Sequence, residues 1–76
     1  MPKLSAVSGR EVVRRFERIG YVFVRQRGSH MRLIHPADGV RKPLTVPDHR
    51  ELEKGLLRKL LRDAGLSVTE FSTLGH

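Results

Sequence analysis

Tyr21-Val22-Phe23-Val24-Arg25-Gln26-Arg27-Gly28-Ser29-His30-Met31-Arg32-Leu33-Ile34-His35 is the stretch on which the reading of this chain turns. Two runs that alternate like strands meet at Gly28-Ser29, and a Gly-X dipeptide in that position suits a two-residue type II′ hairpin turn. With those two residues as the turn, Arg27 faces His30, Gln26 faces Met31, Arg25 faces Arg32, Val24 faces Leu33 and Phe23 faces Ile34. Side chains then sort by parity. One face of the predicted hairpin carries Val22, Val24, Met31 and Leu33 toward a core; the other gathers Arg25, Arg27, His30 and Arg32. Two arginines directly opposite each other weaken a sheet, so an anionic partner is the natural reason for them. The competing reading is a solvated basic face with an ordinary surface histidine.

Working outward, Ser8 and Glu11 have the spacing of a capping box, Val7 can staple onto Val12, and Gly20 supplies a left-handed stop. This predicts a helix over 9–19 with Val12, Val13, Phe16 and Ile19 inward, Arg10, Arg14, Glu17 and Arg18 outward, and Glu11 supporting Arg15. Beyond the hairpin, Asp38-Gly39 predicts a tight reversal into a third strand over 40–46, with Leu44 and Val46 in the core and Pro43 requiring that the run lie at a sheet edge or contain a bulge. Leu56, Leu57, Leu60, Leu61 and Ala64 form the apolar face of a second helix over 55–64. Gly65 follows as its C′ residue, and Leu66 can fold back onto Leu61. Ser67 and Glu70 repeat the capping-box spacing and predict a short helical tail from Val68 to Leu74. The expected architecture is α+β, in the order α-β-β-β-α plus the tail, within one domain over 1–76. Its three-stranded antiparallel sheet has both helices on one face.

Composition narrows the function classes. Lys and Arg number 15 against 8 Asp and Glu, a formal net charge of +7 over 76 residues, which points to nucleic acid or an acidic protein. There is no cysteine, hence no disulfide framework or thiolate metal site, and a reducing, cytoplasmic setting is the default. No window approaches transmembrane length, no signal-peptide pattern opens the chain, and no membrane partner is expected.

An enzyme reading begins with four histidines, of which His76 is terminal and His35 reads as a strand-end residue. The acidic residues are scattered without ligand spacing to a histidine, so no metal or other cofactor is expected. Ser29 and His30 are neighbours on an extended strand and point to opposite faces, which disfavours a serine nucleophile. Metal-free cleavage of RNA survives, because the 2′-hydroxyl is an internal nucleophile. It needs a base, cations for the charged phosphorane, and an acid for the leaving oxygen. His30 and its arginines supply the first two; His49 supplies the acid only if the end of the third strand returns to the hairpin tip. Two other classes stay open: a non-catalytic module gripping duplex RNA, and a ribosome-associated basic protein docking on an acidic partner.

Arg25-Gln26-Arg27-Gly28-Ser29-His30, the later Val46-Pro47-Asp48-His49, and Lys54-Gly55-Leu56-Leu57-Arg58 running to Ala64-Gly65-Leu66-Ser67 resemble the HicA family of toxin mRNA interferases. The resemblance implies a fold like the double-stranded-RNA-binding domain, RNA cleavage with His30 as the catalytic residue, and neutralisation by a HicB antitoxin. RNA contacts are expected at Arg25, Gln26, Arg27, Gly28, Ser29 and Arg32, with no DNA binding by the chain alone. Two departures stand out: Leu56 where the family usually has threonine, and Pro43 where its strand is often unbroken.

Overall fold

The structure is a computed structural model and describes residues 4–37 and 39–75. Asp38 of the expected Asp38-Gly39 reversal, the terminal His76 and the first three residues lie outside the described residues. The elements run α1 (Gly9–Glu17), β1 (Val22–Arg27), β2 (His30–Ile34), β3 (Leu44–Pro47), α2 (Lys54–Ala64) and α3 (Val68–Thr73). The strands form one antiparallel sheet in the order β1-β2-β3, so β2 is central and the fold is the α+β arrangement the pattern predicts. No helix among the described residues is long and apolar enough to cross a membrane.

Most helix ends have a local cause, although α2 begins after Glu53 without a side-chain cap. Ser8 caps α1, its hydroxyl accepting from the Glu11 N–H at 3.0 Å. The reciprocal half of the expected box is missing, because the Glu11 carboxylate accepts instead from Arg14 at 2.6 Å and Arg15 at 2.8 Å. Charge-assisted bonds to two guanidiniums outweigh one bond to a neutral N–H. Helix α1 stops at Glu17, two residues short of the predicted end, and the chain turns through Gly20 at φ +104°. His35 closes that turn, its Nε2 lying 2.7 Å from the Ile19 carbonyl and its ring edge-on to Tyr21, so its role is structural. Helix α2 ends on Gly65 at φ +72°, with Leu66 N–H returning to the Leu61 carbonyl at 2.9 Å, the expected Schellman ending. Both halves of the box are present at α3, between Ser67 and Glu70.

One face of the sheet holds the core. Met31, Leu33, Leu44 and Val46 are buried against Val12, Val13 and Phe16 of α1, Leu57, Leu60, Leu61 and Ala64 of α2, and Phe71 of α3. Each such aliphatic or aromatic side chain contributes about 1.5–3 kcal/mol by leaving water, which is how so short a chain offsets its ordering entropy. Leu4, Val7, Tyr21 and Leu52 complete the core, and the Leu52 N–H donates to the Val7 carbonyl at 2.9 Å.

Two expectations for the sheet need correction. The register follows the prediction at Arg27↔His30, Gln26↔Met31 and Arg25↔Arg32, but a β-bulge between Phe23 and Arg25 then shifts it to Phe23↔Leu33 and Val22↔Ile34. Val24 is the extra residue. Val22 and Val24 are therefore not core residues; they are 47% and 45% exposed. The third strand also starts later, at Leu44. Residues 40–43 are drawn toward α2 instead, where the Lys42 N–H donates to the Asp63 carbonyl at 3.0 Å and the Lys42 carbonyl accepts from the Tyr21 hydroxyl at 2.8 Å. Pro43 has no N–H to give a ladder and stands just ahead of this edge strand, so the predicted edge position holds.

Candidate functional site

The outer face of the sheet is built in rows across the strands. At the hairpin end lie Arg27, His30 and Pro47; next come Arg25, Arg32 and Thr45; beyond the bulge stand Val22 and Ile34. The parity argument thus works on the tip side of the bulge, where Arg25, Arg27, His30 and Arg32 share one open depression with Thr45. Gly28 has φ +55° and Ser29 a negative φ, the signs a type II′ turn needs, so the turn has two residues as predicted.

Among the described residues none of these three arginines pairs with a carboxylate, although Arg32 donates to the Thr45 hydroxyl at 3.0 Å. The α1 arginines differ. Arg10 forks onto Asp48 at 2.9 and 3.1 Å, and Arg14 and Arg15 share Glu11. Unlike the α1 arginines, those of the outer sheet face therefore keep their charge unneutralised, and like charges sit opposite each other at Arg25 and Arg32 at a cost to the sheet. Among the described residues no three His, Asp or Glu side chains gather within range of one metal ion.

Asp48 fixes the tip from below. Its N–H donates to the Ser29 carbonyl at 2.6 Å, while its carboxylate accepts from Arg10 and, at 3.2 Å, from the Gln26 amide. Gln26 in turn reaches the Gly28 carbonyl at 3.0 Å. The Arg10 guanidinium holds the Asp48 carboxyl below its usual range, with Gln26 adding to the effect. The structure therefore separates Gln26 from the arginine row: it faces α1 and braces the turn, beside Arg10, Val13, Arg14, Phe23 and Met31. The end of β3 does return to the hairpin tip, as a role for His49 requires. The His49 carbonyl accepts from the Gly9 N–H at 2.9 Å and its side chain is exposed.

Thr45 and Asp48 are the site residues that sequence reasoning missed. Thr45 was within reach, because Leu44 and Val46 inward put Thr45 outward by parity. Asp48 was not, since its partners Arg10 and Gln26 lie 38 and 22 residues away.

Fold and site together define a small α+β domain that buries one sheet face under its helices and offers the other as a cationic surface around one histidine. The family described as the HicA toxin of bacterial toxin–antitoxin systems matches residues 9–66, most of the chain, and the chain belongs to it. No curated protein matches the chain. It is accordingly a toxin of a toxin–antitoxin system, and membership of this family implies an antitoxin partner.

Proposed function

We propose that the toxin is a metal-independent endoribonuclease, an mRNA interferase that stops translation in the cytoplasm, with His30 as its catalytic base. The observation that carries this reading is the gathering of one exposed histidine with three arginines that no described carboxylate neutralises. His30 takes the proton of a ribose 2′-hydroxyl, and the 2′-oxygen attacks the adjacent phosphorus. A bond from phosphorus to the 5′-oxygen then breaks, giving a 2′,3′-cyclic phosphate and a 5′-hydroxyl end. Arg25, Arg27 and Arg32 bind the backbone and stabilise the added charge on the phosphorane. The open tip at Gly28 and Ser29 lets the strand approach, and Gln26 holds the tip's shape while touching RNA at its rim. His49, brought to the same end of the sheet by Asp48, is the candidate proton donor to the 5′-oxygen.

Control follows from the same surface. A HicB-type antitoxin inhibits most directly by presenting carboxylates to Arg25, Arg27 and Arg32 and covering His30, with association that is fast and salt-sensitive. The deciding experiment incubates the purified protein with a long transcript in excess chelator. Wild type should leave cyclic-phosphate ends and His30→Ala should leave the transcript intact. Equal cleavage by both would remove His30 from catalysis. RNA binding without any cleavage would make the protein a duplex-RNA-binding module.

A further inference from the structure

The outer sheet face does not end with its arginines. Past the Arg25–Arg32 row the bulge reverses the parity of β1, so that Val22, rather than Phe23, stands opposite Ile34 on this face. Val22 is 47% and Ile34 40% exposed, and Val24 stands exposed on the same strand. Single exposed aliphatics need no explanation. Here two are paired across strands and continuous with the unneutralised arginines, and the placement depends on a bulge, which breaks a ladder only at a cost.

We infer that the Val22–Ile34 row is a docking surface for the antitoxin and not for RNA: an apolar side chain of an acidic protein covers the row while its carboxylates meet Arg25 and Arg32. RNA is a poor occupant, because bases bind by stacking on aromatic or guanidinium planes and by hydrogen bonds, and aliphatic side chains offer neither. The aromatic rings do not reach this row: Phe16, Tyr21 and Phe71 are in the core, and Phe23 pairs with Leu33 on the opposite face. A second copy is disfavoured by charge, since each chain carries a net +7 and would set its unneutralised arginines against their own kind. An acidic protein with an apolar anchor satisfies both ends of the face, and the partner protein that the family implies is an antitoxin. This inference rests on reading the basic end as the RNA site, yet it can fail separately.

The test is the double substitution Val22→Thr with Ile34→Thr, which keeps β-branched residues on both strands and removes the apolar contact. Two measurements are made on wild type and variant: the Kd for the antitoxin purified from the co-expressed pair, and the rate of transcript cleavage by free toxin. The antitoxin Kd should rise about tenfold or more while cleavage stays within about twofold. Unchanged antitoxin affinity would overturn the inference, as would cleavage falling in step with affinity. A wild-type dimer that the variant dissolves would reassign the row to a second copy. Should the double variant melt early, either single substitution reads a smaller shift in the same direction. If wild type cuts no RNA, the nuclease reading fails while the antitoxin titration still decides whether this row is used.

Discussion

Two glycines in the first turns of helices give opposite answers to one substitution. Gly9 opens α1 against the end of β3, and its N–H donates to the His49 carbonyl at 2.9 Å. A methyl group added there would lie 2.9 Å from the Pro47 carbonyl carbon and 3.3 Å from Asp48 Cα, with the Pro47 oxygen closer still. These are backbone atoms of an edge strand and cannot swing aside as a side-chain tip can. Either α1 or the β3 end must shift, an overpacking strain of about 1–3 kcal/mol. Weakening of the hydrogen bond adds about 1 kcal/mol. Alanine returns about 0.5–1 kcal/mol through helix propensity and a less flexible unfolded chain, leaving a net destabilisation of about 2 kcal/mol. For a domain of this size that lowers Tm by about 8–16 °C. Gly55 is the second residue of α2 and has nothing within 4 Å of an added methyl group, so Gly55→Ala should stabilise by about 0.5–1 kcal/mol. Urea unfolding of the two variants, read by far-UV circular dichroism, measures both. A Gly9→Ala variant as stable as wild type, or shifted the same way as Gly55→Ala, would refute the docking of α1 on β3. Because Asp48 anchors the hairpin tip from that same strand end, cleavage by folded Gly9→Ala should fall too.

His30→Ala should change stability by less than about 0.5 kcal/mol, because the residue is exposed; a large drop in Tm would mean that it packs or bonds internally. Leu60→Ala should destabilise by about 2–5 kcal/mol in the same urea assay, and a neutral result would put the wrong face of α2 in the core. Alanine at Arg25, Arg27 or Arg32 should each flatten the slope of log affinity for RNA against log salt by about 0.7–0.9, whereas Arg10→Ala and Arg14→Ala should change it less; equal slopes across both sets would mean the charge acts diffusely. The carboxyls of Glu11, held down chiefly by Arg15, of Asp48, held down chiefly by Arg10, and of Glu70, held down chiefly by the Ser67 N–H, all lie below their ordinary values. A depressed carboxyl stabilises the fold above its unfolded pKa and loses that contribution as pH falls through its folded one. Stability in pH-dependent urea melts should therefore decline as pH drops below about 4.5, and a curve flat to about pH 2 would contradict these pairings.

Much of this architecture was legible because local chemistry carries it. Gly28-Ser29 fixes a two-residue turn, and that turn dictates the three pairs nearest to it, which are the pairs that build the cationic rows. Gly65, Ser67 and Glu70 likewise announce the end of one helix and the start of the next. The bulge escaped because Val24 is a good strand residue with neither glycine nor proline to mark a break. The late start of β3 escaped because Val40 to Lys42 has strand composition, and tertiary bonds, among them those from Lys42 to Asp63 and Tyr21 and from Arg41 to the Ala64 carbonyl, draw that segment off the sheet. Asp48 as the brace of the tip belongs to the same class: its partners come from α1 and β1, and no spacing rule joins them.

The bulge also makes β1 a strand with two independent phases. A one-residue insertion or deletion in a strand ordinarily inverts every side chain beyond it, but here the extra residue is absorbed at one point. The hairpin end can keep its arginines and histidine in place while the far end changes which side chain it shows. Removing Val24 alone would leave Val22 opposite Ile34 and Phe23 opposite Leu33, closing the ladder between Phe23 and Arg25 without turning any side chain over. The aliphatic Val22–Ile34 row would survive the deletion unchanged. A ladder that instead kept Val24 and paired it with Leu33 would set Phe23 opposite Ile34, so it is the bulge that decides whether the far end of this face shows an aliphatic or an aromatic side chain.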